Sequence, residues 1–294
     1  MTAVALPVAK GGPVAGGSVL WRLAGLEVRR YARHPLFLVG AVGTLAIGMR
    51  PDPVSSTYFN VIVPAAALGI LGLVAMASLT RGADLLGRSA GAAPVPERVQ
   101  TGALALAALL PFAVGLVWFA WNAYLAFDRP PPPSGFPFGD VSTGWKLAVL
   151  FGCGALSTLG GPLLGIVIGR WWPRRGVAPM LAVALVAATI IMQGLFEPLR
   201  RVRLFMPFTY FGGPFGTEAD PERVLLFPGS PQWWVGYLVC LCGLAVVAAL
   251  WHDRSARDGR LRTTGLVLAA AAVATCLLAT LTGLDHTLVN PLSS

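Results

Sequence analysis

Apolar residues occur along this chain in seven long runs, which are separated by shorter polar stretches. A helix needs about 20 apolar residues to cross a bilayer, and most of the runs approach or reach that length. No strand-like alternation of apolar and polar positions occurs, so a transmembrane β-barrel is not expected. The pattern predicts an all-α, polytopic membrane protein with six to seven transmembrane helices. The predicted spans cover about residues 36–49, 58–79, 101–127, 145–169, 177–196, 232–251 and 263–284.

Residues 18–34 have an amphipathic pattern of their own. At 100° per residue Arg22, Arg29 and Arg33 fall on one face, whereas Leu20, Leu23, Ala24 and Tyr31 fall opposite. Such a pattern is typical of a helix that lies in the membrane surface with its arginines toward anionic lipid head groups. We therefore predict an interfacial helix here.

Glu27 is the exception on this helix, because it projects from the apolar face. It either pairs with Arg30 one turn on or makes a polar contact with a neighbouring helix or subunit. The preceding residues 1–17 contain no sustained apolar core of a signal peptide, so we expect them to remain as a flexible N-terminal tail.

Residues 80–100 form the longest polar interruption in the first half of the chain. We predict that the segment is a cytoplasmic loop on which a separate protein docks and moves the membrane helices. A plain solvated loop is the alternative. Within it, a docking turn is expected at Asp84, Leu85, Leu86 and Arg88, and a rigid lead into the third span at Pro94, Pro96 and Arg98.

The distribution of charge predicts the orientation. Only 12% of the residues are charged, yet the formal net charge is +9, with 22 Lys and Arg residues. Fifteen of these lie in the N-terminal segment and in the segments that follow spans two, four and six, so these segments are predicted to be cytoplasmic. Seven spans would then leave the C-terminus outside. Since no basic stripe is interleaved with aromatic residues, nucleic acid is not an expected partner.

The sequence offers no residues for catalysis or for internal energy coupling. None of the 13 acidic residues and none of the three histidines falls in the middle of a predicted span. Neither Lys10 nor Lys146 lies in a phosphate-binding P-loop motif. The four cysteines lack metal-ligand spacing and are expected to fill the core. We therefore predict no enzyme activity, no metal and no cofactor in this chain, so uphill transport would need energy from another polypeptide.

A few residues within the spans are candidates for binding or packing. Asn122 and Gln193 sit toward the predicted outer halves, where they either contact a substrate or form hydrogen bonds between helices. Gly161, Gly165 and Gly169 recur every four residues and predict close approach of another helix, from the same chain or from a second copy.

Three stretches carry a resemblance to a known family. They are Trp21–Gly40 (WRLAGLEVRRYARHPLFLVG), Ala93–Thr101 (APVPERVQT) and Gly165–Pro173 (GIVIGRWWP). In this order they resemble the permease subunits of type-2 ATP-binding cassette transporters, particularly those of actinobacteria. The resemblance covers about residues 18–251, and the apparent seventh span departs from the six-span layout of the family.

The resemblance implies a permease of the bacterial plasma membrane that acts as a homodimer or heterodimer. Separate cytoplasmic subunits would bind ATP and Mg²⁺. The coupling role would fall on Asp84, Leu85, Leu86 and Arg88, and the interfacial-helix role on Leu26, Glu27, Arg29, Arg30 and Arg33. We expect export of an amphipathic or hydrophobic compound. The alternatives are a membrane anchor that transports nothing and a polytopic enzyme that acts on lipid.

Overall fold

The computed structural model describes residues 16–49, 61–89, 95–128, 141–196, 199–209, 211–214 and 224–290. Within these ranges long helices dominate, as the apolar runs predict. We number them in chain order as α1 Gly16–Ala32, α2 Pro35–Gly48, α3 (residues 62–89), α4 (residues 97–128), α5 (residues 143–171), α6 Val177–Gln193, α7 Pro231–Leu250 and α8 Gly259–Leu281.

Three of these helices are composite. Helix α3 joins Ile62–Pro64, a π-helical stretch Ala65–Ile70 and Leu71–Ser89. Helix α5 likewise joins Thr143–Leu150, a π-helical stretch Phe151–Leu156 and Ser157–Trp171. Helix α4 consists of Glu97–Ala107 and Leu109–Asp128, which meet at Ala108. Because π-helical turns often mark functional sites, the two in α3 and α5 direct attention to the surface between these helices.

Five helices in the described part of the chain are long and apolar enough to cross a membrane, which indicates a membrane protein. They are Ile62–Ala83, Glu97–Leu125, Thr143–Trp171, Pro231–Leu250 and Gly259–Leu281. The remaining two predicted spans correspond to shorter apolar helices, α2 with 14 residues and α6 with 17. At 1.5 Å per residue these cover only about 21 and 26 Å, less than the hydrocarbon core of about 30 Å.

Helix α1 divides its faces as the sequence pattern predicts. Ala24 and Tyr31 are buried, whereas Arg22, Arg29 and Arg33 are exposed. The buried face packs on the first half of α4. Glu27 is buried as well, and its carboxylate accepts hydrogen bonds of 2.8 and 3.0 Å from Arg30 Nη1. Of the two roles considered for Glu27, the local pair is the one the structure contains.

Helices α3 and α5 touch along a line of glycines. A Cβ atom on Gly161 would overlap the backbone of Gly69, and one on Gly165 would overlap the carbonyl of Leu73. A Cβ atom on Gly169 would lie 2.6 Å from Cβ of Thr80. The predicted close approach is therefore made by α3 of the same chain.

One end of the helical bundle carries a small sheet that the all-α prediction missed. Strands β1 Gly212–Pro214, β2 Val224–Leu226 and β3 Leu288–Asn290 pair antiparallel in that order, next to a 3-10 helix Leu199–Phe205. Gly229 and Leu284 form a further bridge. We call the described residues between 199 and 230, together with residues 283–290, the capped end. Since β3 follows α8 and joins this sheet, α8 returns to the end of the bundle at which α7 begins.

The opposite end contains the described residues of the basic segments, which are 80–89, 95–100, 170–176 and 251–262, and we call it the arginine-rich end. Here the prediction of a loop that begins at Thr80 is wrong, because α3 continues to Ser89. Asp84, Leu85, Leu86 and Arg88 therefore lie on the last turns of a helix and do not form a turn. No Gly or Pro interrupts residues 83–86, and the polar residues simply extend the helix beyond the apolar run.

Candidate functional site

An apolar cavity of about 350 Å³ lies among α3, α5 and α7. Its wall includes Gly69 and Leu73 from α3, Leu164 from α5, and Leu241 and Cys242 from α7. A volume of this size lies at the lower end of the range for small-molecule sites, about 300–1,000 Å³. We call this space the chamber.

A second cavity of about 300 Å³ adjoins the chamber between α3 and α6. The two share part of their lining, so they form one continuous apolar space; the shared residues are Ala65, Ile70, Leu185 and Phe208. Helix α6 forms one side of this space. It packs tightly only near its start, where Ala178 and Ala182 are buried against α3 and α5.

The chamber exists because the facing positions of α3 and α5 hold small residues, and larger side chains there would fill it. Gly69, Gly160 and Gly161 line the chamber, and the π-helical stretch Ala65–Ile70 contributes three lining residues. Elsewhere on α6, Val183 and Ile191 have about 70% of their surface exposed. Helix α6 therefore stands beside the bundle without filling the groove next to it.

The chamber has no charged residue in its lining. Its one hydroxyl group, on Ser157, donates to carbonyl oxygens of its own helix, at Cys153 and Gly154. Polar side chains occur only in the adjoining cavity, at Thr189 and Gln193. Burial of an unpaired charge is costly, so this lining favours an uncharged apolar molecule or the apolar part of an amphipathic one.

Toward the capped end the space is closed by a short segment after the 3-10 helix. Pro207 and Phe208 line the wall there. The next residue, Thr209, accepts a hydrogen bond of 2.8 Å at Oγ1 from Gln193 Nε2 and one of 3.4 Å at its carbonyl from Cys153 Sγ. At this end the boundary therefore consists of the Phe208 ring, Pro207 and the two hydrogen bonds of Thr209, none of which involves a charged group.

Rings and backbone carbonyls hold the rest of the capped end. Arg203 is 1% exposed, donates to the carbonyl of Pro228 at 2.9 Å, and lies 5.3 Å from the ring centre of Phe227. Trp234 at the start of α7 stacks edge-on against Phe211 at 5.3 Å. The cap therefore packs into the same buried cluster as residues of α4, α5 and α7.

At the arginine-rich end the chamber narrows between Val167 of α5 and Ala248 of α7. Immediately beyond, Trp171 Nε1 donates to the carbonyl of Ala248 at 2.9 Å. The Trp171 ring meets the His252 ring edge-on, with 5.4 Å between the ring centres. These contacts join the end of α5 to the end of α7.

Charged groups complete this closure. The Arg170 side chain is 2% exposed, and its Nε lies 3.8 Å from Glu97 Oε1 at the start of α4. Arg170 Nη2 also donates to Gln100 Oε1 at 3.3 Å. His252 Nδ1 lies 2.5 Å from the same Glu97 oxygen. Because a carboxylate accepts only, the ring nitrogen carries the hydrogen. Glu97 thus connects three helix ends.

The two polar residues predicted within the spans have different surroundings. Asn122 is buried, and its Nδ2 donates to the carbonyls of Gly48 at 3.1 Å and Trp118 at 2.9 Å. Its amide therefore holds the end of α2 against α4, and it lines neither cavity described above. Gln193 does line the second cavity and remains a candidate for substrate contact.

The predicted docking residues lie near α1 at the arginine-rich end. Pro96 precedes the first turn of α4, and the backbone N–H of Arg98 donates to Asp253 Oδ2 at 3.2 Å. Pro94 lies outside the described residues. Arg30 of α1 packs beside Gly82, two residues before Asp84. Leu26 is 54% exposed on the same helix. The predicted interfacial helix and the predicted docking segment therefore adjoin.

Sequence reasoning missed Arg170, His252 and Phe208 as parts of the site. A signal for Arg170 was present, since it falls on the helical face of Leu163 and Ile166, both of which are buried. An arginine on an apolar face requires a partner. The contact between His252 and Glu97 joins residues 155 positions apart, which no local pattern reveals.

Among the described residues no group of three or more His, Cys, Asp or Glu side chains could hold a metal ion. Comparisons with protein-family models, with curated proteins and with solved structures find no match for this chain.

Proposed function

We propose that this protein is the permease subunit of a membrane exporter that is driven by a separate cytoplasmic ATPase, which would bind ATP and Mg²⁺. The observation that carries the proposal is the chamber, a continuous apolar space inside a bundle of membrane-length helices and closed differently at its two ends. A passage that opens alternately to the two sides of a membrane needs both features.

The lining supports a substrate class. No charged residue faces the chamber, and polar side chains gather only beside Gln193. A molecule with an apolar body and one uncharged polar group fits this distribution, because the polar group could exchange hydrogen bonds with Gln193 and Thr189. The groove beside α6 gives such a molecule a route from the lipid.

The arginine-rich end is the proposed docking side, and the positive-inside rule supports its placement in the cytoplasm. The last turns of α3, with Asp84 and Leu85, project beyond the apolar run next to the exposed arginines of α1. A partner that pushes on these turns acts directly on α3. Since α3 is in close contact with α5 through the glycines, such a push reaches the chamber wall. A second permease copy, identical or related, would complete the exporter.

Co-purification tests the proposal. The chain is expressed in turn with each candidate P-loop ATPase of the genome that encodes it, and any complex is isolated through a tag on the permease. We expect Leu85→Asp and Asp84→Arg to abolish recovery of the ATPase. Arg260→Asp, an exposed change at the same end, is the matched control and should retain the ATPase.

Two results would contradict the proposal. Full ATPase recovery and coupling in Leu85→Asp and Asp84→Arg would refute the docking surface. A stable complex that hydrolyses ATP but moves no apolar dye across vesicle membranes would indicate the membrane anchor instead.

A further inference from the structure

We propose that Glu97, Arg170 and His252 form a latch that keeps the chamber closed at the arginine-rich end, and that the latch separates when the chamber opens to that side. The inference rests on the proposed function, since it assigns the gate of the same passage. It concerns residues at the ends of α4, α5 and α7, none of which contributes to the chamber wall itself.

Position is the first argument. Val167 and Ala248 are the last wall residues at this end, and Arg170 and His252 follow them by three and four residues on the same two helices. The latch therefore lies about one helical turn beyond the wall. Separation of α5 from α7 at this level would open the chamber directly to the surrounding water.

Connectivity is the second argument. One carboxylate oxygen of Glu97 faces both His252 Nδ1, at 2.5 Å, and Arg170 Nε, at 3.8 Å. Loss of this single group would remove one side-chain contact from each of the two residues, and Arg170 would keep its hydrogen bond to Gln100 of α4. Trp171 adds an uncharged contact, with its indole N–H on the carbonyl of Ala248 at 2.9 Å.

Exposure is the third argument. The side chains of Glu97 and His252 are 32% and 37% exposed, so water can replace their contact when it breaks. Arg170 is 2% exposed and keeps Gln100 as a second acceptor. A fully buried ion pair would be costly to separate, whereas this arrangement allows reversible opening.

Cys242 provides the readout, because it lines the chamber. In the test protein Cys153→Ser, Cys240→Ala and Cys276→Ala leave Cys242 as the only thiol. The full chain is placed in lipid nanodiscs, and the rate of Cys242 modification by a small, charged methanethiosulfonate is measured. We expect Glu97→Gln and His252→Gln each to raise the rate about five- to tenfold, as the loss of a partly buried charge partner shifts an equilibrium.

Two comparisons separate a latch from general loosening. Asp258→Asn changes an acidic side chain at the same end that caps α8, a role that asparagine also fills, and it should leave the rate unchanged. The exchange Glu97→His with His252→Glu should restore slow modification, because it rebuilds the pair in reverse. Glu97→Gln combined with His252→Gln should not exceed the single variants, since both remove one contact.

Equal rates in the parent protein and in both single variants would overturn the latch, and so would an equal rise in Asp258→Asn. Failure of the exchange to slow the reaction would also count against it. All these outcomes are independent of ATPase recovery, so the latch can fail while the proposed function stands. If Glu97→Gln does not fold, His252→Gln carries the test alone, because it leaves Glu97 beside Arg170.

Discussion

The two ends of the chamber are closed by different chemistry. At the arginine-rich end Glu97 links Arg170 to His252, and two of these three side chains are about one third exposed. At the capped end Phe208 and uncharged hydrogen bonds border the space, near Arg203, which is 1% exposed. An ion pair at that end, Arg201 with Asp285 at 3.6 Å, lies at the protein surface. The first closure therefore depends on charges that water can reach, whereas the contacts next to the chamber at the second are packed rings and backbone carbonyls.

The difference indicates which end responds to a partner. Contacts between partly exposed charges form and break at a cost of about 1 kcal/mol or less, so a docked protein can shift them. A cap held by buried rings and a buried arginine has to move as a unit. Under the proposed function, a docked partner would therefore control the arginine-rich end, and the capped end would act as a passive outlet.

The largest loss of stability is expected from a change in the contact between α3 and α5, because these helices form the chamber wall between the two ends. In Gly161→Ala the new Cβ would overlap the backbone of Gly69, where neither helix can yield. Overpacking of this kind costs about 1–3 kcal/mol, and contact with backbone places it at the upper end. Gly160→Ala is the matched control, because its Cβ would lie 3.6 Å from Cys242 Sγ, an ordinary contact.

The measurement for this pair is the thermal unfolding midpoint in detergent. We expect a large drop for Gly161→Ala and little change for Gly160→Ala. Equal midpoints in the two variants would show that α3 and α5 do not form the rigid wall on which the comparison of the ends depends.

Substitution of the buried arginine at each end tests whether the two closures differ in stability and in control of access to the chamber. Arg203→Met leaves the carbonyls of Arg200 and Pro228 without their charged donor, which costs about 2–3 kcal/mol. Arg170→Met leaves Glu97 still paired with His252, so we expect a smaller cost of about 1 kcal/mol. The unfolding midpoint should therefore fall more in Arg203→Met than in Arg170→Met. The rate of Cys242 modification should rise only in Arg170→Met. The reverse order in both assays would contradict the assignment of the two closures.

Much of this architecture follows from the sequence. The apolar runs predict every long helix, and the period of α1 predicts its buried and exposed faces. Gly161, Gly165 and Gly169 predict a close helix contact. These features are local, so the period of the pattern is enough to reveal them.

The remainder depends on contacts between distant residues. The sheet at the capped end pairs Leu225 with Val289, too far apart in sequence for a turn signal to connect them. The chamber exists because small residues on three helices leave space between them. No local sequence pattern predicts such a space. The extension of α3 through Asp84 was missed because polarity was taken as the end of a helix, whereas α3 continues through polar residues and through Gly82 and Gly87. An isolated glycine inside a helix is tolerated at a cost of about 1 kcal/mol.

The smallest expected effect concerns His34, between α1 and α2. His34 Nδ1 accepts from the N–H of Leu36 at 3.3 Å, and Nε2 lies 3.2 Å from Ser78 Oγ. Desolvation lowers the pKa of this histidine below its ordinary value of 6.5. A lowered pKa means that the folded state binds the proton less readily than the unfolded state does. The contribution of His34 to stability is therefore complete above the ordinary pKa of 6.5 and is lost as the pH falls from there through the lowered pKa.

Because His34 is only partly buried, we expect less than about 1 kcal/mol from this group. The unfolding midpoint of the parent should fall between about pH 7 and pH 5 by slightly more than that of His34→Asn, in which the cap acceptor is kept without the titration. Identical pH profiles of the two midpoints would show that the titration of His34 does not affect stability.

The central claim is that the chamber carries the substrate, and one transport measurement tests it most directly. Sealed vesicles containing the chain and its ATPase are loaded with Nile red, an uncharged apolar dye, and its ATP-dependent movement is followed by fluorescence. Ala245→Phe fills the chamber wall on α7, whereas Val239→Phe changes a residue on the same helix that is 50% exposed and outside the wall. The account predicts ATP-dependent movement in the parent and in Val239→Phe and its loss in Ala245→Phe, whereas an undiminished rate in Ala245→Phe would contradict it.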